Sequence, residues 1–429
     1  MTAEIAIMNK LGVALAADSA VTVQTKTGQK IYNTVNKLFT LSKYEPVGIM
    51  IFRSAELMRV PWEALIKLYR AYLGTRKFQR IRDYAMDFVR FLEKNRLVFT
   101  LPEQQKHFCR TVGQYFEDIL REINESVQQT LTKKPKITLA EVMKIVSDEV
   151  RKRHREWQGL KRLRVSAKQE VRIRQRYRQH LAKIKKRVFK KLPISRHVSD
   201  QLSEIAAWLF TKANVRVDCS GIVFAGFGTN ETFPSLYSLR VEGLLLGKLK
   251  YVEHNTAAIH FENEAAIIPF AQSEMVATFI EGVDPFHQRA LEAYLKKLFN
   301  EYPDAIDKVL KLPKSTKKRA LAKIRRESRT VLTDLLKTLR GYRTQRHVSR
   351  ILDAVRILPK DELAAMAESL VNLTSFKRRV TMHAETVGGP IDVAVISKGD
   401  GFVWIKRKHY FTKELNPRFV ANYYRDEKR

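Results

Sequence analysis

The first chemical question is set at the start of the chain, where Met1 is followed by Thr2. A small second residue permits removal of the initiator methionine, which exposes an α-amine beside the threonine hydroxyl. A hydroxyl attacks a carbonyl only when a base takes its proton. An α-amino group titrating near ~7.7–8.0 is well placed to be that base. Thr2 leads into alternating residues 4–8, a turn at Asn9-Lys10-Leu11-Gly12 and a return through 13–17, so the hairpin can bring Asp18 back beside Thr2. Lys37 opens a later strand, Lys37-Leu38-Phe39-Thr40-Leu41. The chemistry that a hydroxyl with its own amine can do is acyl transfer through a covalent ester.

The elements that must position these groups are β-rich pieces separated by helical blocks. Strand signals cover 47–52, 221–227 and 235–241, the last two joined by a loop containing Gly228, Asn230 and Pro234. A closing hairpin runs through 391–397 and 402–406 around Gly399-Asp400-Gly401. Helical patterning runs from about Pro61, a favourable first-turn residue, to 212, and again from about 270 to 374. This order predicts a single α/β domain over 1–429, with core pieces at about 2–99, 213–285 and 376–410. Helical insertions would occupy about 100–212 and 286–375.

Charge is concentrated in those insertions. The chain has 429 residues and a formal net charge of +34. Residues 151–191 hold 18 Lys/Arg against Glu156 and Glu170, and residues 311–346 hold 13 against Glu327 and Asp334. Together they carry 27 of the 34 net charges. Apolar residues recur at helical spacing through both stretches. Leu160, Leu163, Val171, Ile173, Tyr177, Leu181, Ile184 and Val188 do so in the first, and Leu321, Ile324, Val331, Leu332, Leu335 and Leu339 in the second. Amphipathic basic helices are therefore expected. Such helices need counter-charge, from nucleic acid, an acidic partner surface or an anionic membrane face. Arg172, Arg174, Arg176 and Arg178 are the candidate nucleic-acid or partner-docking residues.

Other classes are set aside by pattern. Two cysteines, Cys109 and Cys219, exclude a disulfide scaffold and a four-cysteine zinc site. Ten histidines give no HExxH, no GxxxxGK[ST] or GxSxG is present, and no metal or cofactor is expected. No apolar run approaches the ~18 residues of a membrane span, and Glu4 sits where a signal peptide would carry Lys or Arg. A cytoplasmic, soluble chain without a membrane partner is the expectation.

Several motifs, in order, resemble those of proteasome β-type subunits and the related bacterial peptidase subunits, members of the N-terminal nucleophile hydrolases. Thr2 stands at the family's nucleophile position. Ala17-Asp18-Ser19-Ala20-Val21-Thr22 is similar to its Ala-Asp-Ser/Gly-x-x-Thr, and Lys37 to its following lysine. The stretch 47–56 looks like its strand and oxyanion loop. Residues 222–227 with Pro234-Ser235-Leu236-Tyr237 resemble its central hairpin, and Thr386-Val387-Gly388-Gly389-Pro390-Ile391-Asp392-Val393 its late Gly-Gly-x-x-Asp-Val strand. The matched stretches, about 2–75, 217–285 and 380–407, cover under half the chain.

The resemblance implies a four-layer αββα sandwich and a threonine-type peptidase or amidohydrolase. Thr2 would be nucleophile and base, Lys37 would lower the proton affinity of its hydroxyl and amine, and Asp18 would hold Lys37. Lys30 competes with Lys37 for that role. Ser19 and Thr22 would lie along a substrate bound as an added strand, with Arg53 at the oxyanion loop. It also implies a peptide or protein substrate, and raises self-assembly and an unfoldase partner. Three positions depart from the family. Arg53 replaces a Gly, Ala384-Glu385-Thr386-Val387 replaces Asp-x-x-Ser with Glu385 or Thr386 as substitutes, and Ser273 is the remnant of a Gly-Ser-Gly. The alternative reading is a catalytically eroded relative whose basic helices bind nucleic acid or a protein.

Overall fold

The computed structural model describes residues 3–25, 28–163, 165–190, 192–216, 219–309, 313–381, 388–418 and 421. The chain is an α/β protein with antiparallel sheets. Strands β1 (Ala3–Asn9), β2 (Gly12–Ala17), β3 (Val21–Thr25), β4 (Gly28–Tyr32), β5 (Leu38–Thr40), β6 (Val47–Arg53), β7 (Glu56–Leu57) and β8 (Val60–Pro61) come first. Among the described residues, helices α1 (Trp62–Leu73), α2 (Ile81–Lys94), α3 (Leu101–Lys133), α4 (Leu139–Gly159), α5 (Ala167–Arg176), α6 (Arg178–Val188) and α7 (Arg196–Thr211) follow. Strands β9 (Ser220–Gly226), β10 (Ser235–Leu245), β11 (Lys248–Ala258) and β12 (Ala265–Ala271) then precede a second helical block. That block holds α8 (Glu274–Glu281), α9 (Pro285–Val309), α10 (Lys314–Arg343), α11 (Ser349–Ile357) and α12 (Lys360–Val380), and the hairpin β13 (Asp392–Ser397) and β14 (Gly401–Lys406) ends the fold.

The chain divides into two compact units. Met1–Phe52, Ala225–Ser235 and Ala257–Arg429 form the first, and Arg53–Phe224 with Leu236–Thr256 the second. In the first unit, a five-stranded sheet runs in the order β12-β1-β2-β13-β14. The period-2 alternation of β1 separates its two faces. Ala3, Ile5 and Ile7 lie with Ala14, Ala16, Val393 and Val395 beneath α11 and α12, where Leu363, Ala367, Leu370 and Val371 close the layer. The small alanines let helix and sheet approach closely. Glu4, Ala6 and Met8 occupy the opposite face, and β5 packs against β2 and β13. That contact is tight: a Cβ on Gly48 would stand 2.6 Å from Ile396 Cδ1.

Buried Asn9 locks the β1–β2 turn to the helical layer. Its Oδ1 accepts from the Leu11 N–H at 2.9 Å, and its amide donates to the Val355 and Leu358 carbonyls at 3.0 and 2.8 Å. These carbonyls lie at the C-terminal end of α11, where the Val355 carbonyl also takes the Leu358 N–H at 3.3 Å. Gly226 has φ 134°, and a Cβ there would meet the Pro46 carbonyl oxygen at 2.0 Å, so glycine is required by conformation and by space.

In the second unit, β9, β10 and β11 are successive neighbours. Helices α1 and α2 bring an aromatic group onto β9, with the Phe88 ring edge-on to Phe224 at 5.6 Å. Helices α3–α7 share another core containing Phe108, Phe116, Val150, Leu181 and Leu202, in which Phe108 stacks on Tyr177 at 4.3 Å. Most of the basic stretch is helical, but α4 ends at Gly159 and α5 begins at Ala167, so Leu160 and Leu163 lie outside the helices. A second break at Tyr177 (φ −104°, ψ 14°) separates α5 from α6. Ile173, Tyr177, Leu181 and Ile184 point inward as their spacing predicts, whereas Val171 is exposed. Among the described residues no helix is long and apolar enough to cross a membrane.

One buried histidine gives this unit a pH dependence. His107 packs against Gly243, where a Cβ would approach Nε2 to 2.2 Å, and neither ring nitrogen has a hydrogen-bond partner among the described residues. Burial, with Arg110, Arg216 and Lys250 nearby, pushes its pKa down from 6.5 to about 3. The unfolded chain therefore binds the proton more readily, and stability falls as pH drops from 6.5 towards 3. Across that window the His107 contribution should change the folding equilibrium by up to about tenfold per pH unit. Urea unfolding at several pH values should show a shallower acid slope in His107→Leu than in the parent.

Candidate active site at the head of the first sheet

The β1–β2 hairpin ends with Asp18 directly after β2, opposite the start of β1. The Asp18 backbone N–H donates to the Ala3 carbonyl at 3.1 Å, and the Ala3 N–H donates back to Asp18 Oδ1 at 3.0 Å. Asp18 is 1% exposed, and its other oxygen accepts from the Ala20 and Gly388 N–H groups at 3.3 and 3.1 Å. Lys37, also 1% exposed, donates its ammonium to Asp18 Oδ1. The carboxylate is thus held by three backbone N–H groups and by a buried cation.

A second carboxylate completes this group. Glu4, 2% exposed, places Oε1 3.2 Å from Lys37 Nζ. Alternation turns Glu4 to the face opposite the α12 layer, towards the Lys37 end of β5. Two buried carboxylates therefore share one ammonium. A neighbouring pair lies at the same end: Asp392 opens β13, takes the Lys408 N–H on Oδ1 at 2.8 Å and is salt-bridged to the Lys408 ammonium. Burial pulls the Lys408 pKa down, Asp392 opposes that, and both Lys37 and Asp18 lie close enough to act on it electrostatically. Charge at this end alternates Glu4, Lys37, Asp18, then Lys408 and Asp392.

The other candidate residues fall as follows. Thr2, Glu385 and Thr386 lie outside the described residues. Lys30 is exposed, with its ammonium 5.2 Å from the Tyr32 ring centroid, so Lys37 is the lysine that meets Asp18. Ser19 is buried, and its hydroxyl donates to the Pro390 carbonyl. Its backbone N–H is bonded to the Gly388 carbonyl at 3.1 Å and its carbonyl accepts from Val35 N–H at 3.2 Å. Both backbone groups are taken, so Ser19 holds the Gly388-Gly389-Pro390 segment in place and does not offer an edge to an added strand. Thr22 lies in β3, paired with Ile31 of β4. Ser273 sits at the N-cap of α8, where its carbonyl accepts from Ala277 N–H.

Arg53 stands where the resemblance expects Gly, and it adopts φ 68°. The left-handed backbone associated with glycine is therefore kept by an arginine, at a cost of about 1 kcal/mol. Arg172, Arg176 and Arg178 are exposed on α5 and α6, whereas Arg174 is half-buried and reaches Glu204 at 3.7 Å. They lie in the second unit and the carboxylate–lysine group in the first.

Sequence reasoning missed Glu4, Asp392 and Lys408 as members of this group. Glu4 was signalled by an acid interrupting the apolar run Ala3-Glu4-Ile5-Ala6-Ile7 at an inward position. Asp392 lies within the late Gly-Gly motif. Lys408, in Lys406-Arg407-Lys408, carries no distinguishing signal. Chemically, a desolvated ammonium fixed at a sheet end can lower the proton affinity of a hydroxyl beside it or stabilise developing negative charge. No protein-family model matches the chain, and no curated protein matches it.

Proposed function

We propose that the chain is a threonine-type peptidase or amidohydrolase with the αββα layering of the N-terminal nucleophile hydrolases. The observation that carries this reading is the buried Lys37–Asp18 pair, bonded through Asp18 to the N–H of Ala3, the residue that follows Thr2. With Met1 removed, the Thr2 α-amine takes the hydroxyl proton while Oγ attacks the substrate carbonyl. The tetrahedral adduct collapses to an ester on Thr2, and the amine hands its proton to the departing nitrogen. Water, deprotonated by the same amine, then releases the acid and restores the hydroxyl. Lys37 favours the neutral amine and the alkoxide-like oxygen. Asp18 holds Lys37 in place for this role. The substrate is a peptide or protein in the cytoplasm, with self-assembly and an unfoldase supplying access.

The test is pre-steady-state hydrolysis of chromogenic peptide amides and esters. Ester substrates should give a burst of about one leaving group per chain, because acylation then outruns deacylation. A linear trace with no turnover on any substrate contradicts the proposal. It would favour the second reading, a non-catalytic relative that binds nucleic acid or protein through α5 and α6. The exposure of Arg172, Arg176 and Arg178 is what speaks for that reading.

A further inference from the structure

Helix α10 carries a face that the hydrolase reading does not use. It packs on α9 within the first unit. The half-buried positions Lys317, Leu321, Ile324, Ser328, Leu332 and Leu335 recur every three or four residues and form the side turned to α9. Basic residues on or beside that side have acidic partners. Lys317 meets Asp307 at 3.0 Å, Arg325 meets Asp304 at 2.8 Å, and Arg343 meets Glu281 at 3.0 Å. The opposite side differs. Arg319, Lys323, Arg326, Arg329, Lys337 and Arg340 are all exposed, and among the described residues none of their side chains has an acidic partner. At 100° per residue they fall within an arc of about 120°, and at 1.5 Å per residue the row runs ~32 Å. Glu327 and Asp334 lie roughly 80–100° from its centre.

We propose that this row is a docking surface for the phosphate backbone of duplex DNA. Charge complementarity carries the assignment. Like charges three or four residues apart, as in Arg319-Lys323-Arg326-Arg329 and Lys337-Arg340, destabilise the helix slightly at each pair, which an extended polyanion relieves. A ~32 Å row spans about nine base pairs. The arc contains Ala322, Thr330 and Thr333 between the cations but no large apolar side chain. A membrane surface would find nothing there to insert below its headgroups. It also contains no aromatic residue, so the unstacked bases of a single strand would find no platform. Among duplexes, the wide major groove of B-form DNA lets a helix lie with its outward cations between the two phosphate strands, whereas that of duplex RNA is deep and narrow. Binding is indifferent to sequence, because the row offers charge to phosphates and nothing arranged for base edges.

The test uses the full chain and a 30-base-pair DNA duplex, titrated between 50 and 200 mM salt. Six phosphate contacts give a log–log slope near about −5 and a loss of affinity of ~10³ across that range. Replacing Arg319→Gln, Lys323→Gln, Arg326→Gln and Arg329→Gln should flatten the slope by about 3 to 4. The charge-keeping variant Arg319→Lys, Arg326→Lys, Arg329→Lys should retain it, separating lost charge from lost folding. An unchanged slope in the α10 Gln variant overturns the proposal. So does tighter binding of oligo-dT than of duplex, or capture by phosphatidylserine vesicles with no affinity for DNA. None of these outcomes depends on hydrolysis at Thr2, so the two proposals fail separately.

Discussion

Thr2→Ala is expected to lower peptide-amide hydrolysis by about 10⁴-fold or more, the scale of losing a nucleophile that works as one unit with its base. Thr2→Ser should retain a measurable fraction of activity, because the hydroxyl and α-amine survive and only the methyl that limits rotamer choice is lost. The two variants separate chemistry from folding. Both should melt within a degree or two of the parent, since the proposed mechanism uses the hydroxyl for chemistry and not for folding. Steady-state rates on one chromogenic peptide, with thermal melts of the same samples, decide the matter. Equal turnover in Thr2→Ala and parent would remove Thr2 from the mechanism.

The second large effect lies in the buried carboxylate–lysine group, where stability and activity should respond differently. Lys37→Met leaves Asp18 and Glu4 buried with no ammonium between them, and breaking a buried ion pair in this way costs about 3–5 kcal/mol. Asp18→Asn keeps Glu4 facing Lys37 and an oxygen for the Ala3 N–H, but its amide nitrogen cannot accept the Ala20 and Gly388 N–H groups, at about 1–3 kcal/mol for each. The double variant should be less destabilised than the sum of the two. For turnover, either single change should be nearly as damaging as both together. Independent, additive effects in a double-mutant cycle would show that the pair does not act as a unit. Glu4→Gln refines the sign. Under the proposed mechanism Glu4 would oppose the influence of Lys37 on the Thr2 amine, so its neutralisation should favour the unprotonated base. The acid limb of the kcat/KM profile should then move to lower pH.

How much of this was readable from the residues depends on the local pattern. The hairpin β1–β2 is legible because apolar alternation brackets a polar turn, and its register follows from Glu4 facing Ala17 and Asn9 facing Gly12. That register alone returns Asp18 to Ala3. The β13–β14 hairpin is legible for the same reason, with Gly401 at φ 76° at its turn. Strand β12 is not, because Pro269 interrupts it. The strand lies at the sheet edge, where proline is tolerated, opposite Ile5 of β1. Strand β11 is harder to read, because one of its buried residues is Lys250, paired with Glu242 at 2.6 Å, among the polar Lys248, Glu253 and His254.

The site divides along the same line. Asp18 and Lys37 were indicated by motif. Glu4 was indicated only by its polarity within an apolar strand, which becomes meaningful once alternation assigns it to the face turned towards β5. Lys408 reaches the group through the geometry of the β13–β14 end, and no local sequence rule reports such a return. Ser19 shows the converse: its motif position is distinctive, yet Gly388 and Val35 occupy the backbone groups that a substrate would use.

The central claim is that Thr2 is a terminal nucleophile with a free α-amine as its base. The most direct measurement is tandem mass spectrometry of the amino-terminal peptide after exposure to a peptide β-lactone, whose strained ring opens on an activated hydroxyl. The account predicts a peptide that begins at Thr2, carries an unmodified α-amine and bears the probe as an ester on the Thr2 hydroxyl. Retained Met1, an acetylated Thr2, or a free Thr2 that stays unlabelled under conditions where other nucleophilic hydroxyls react would contradict it.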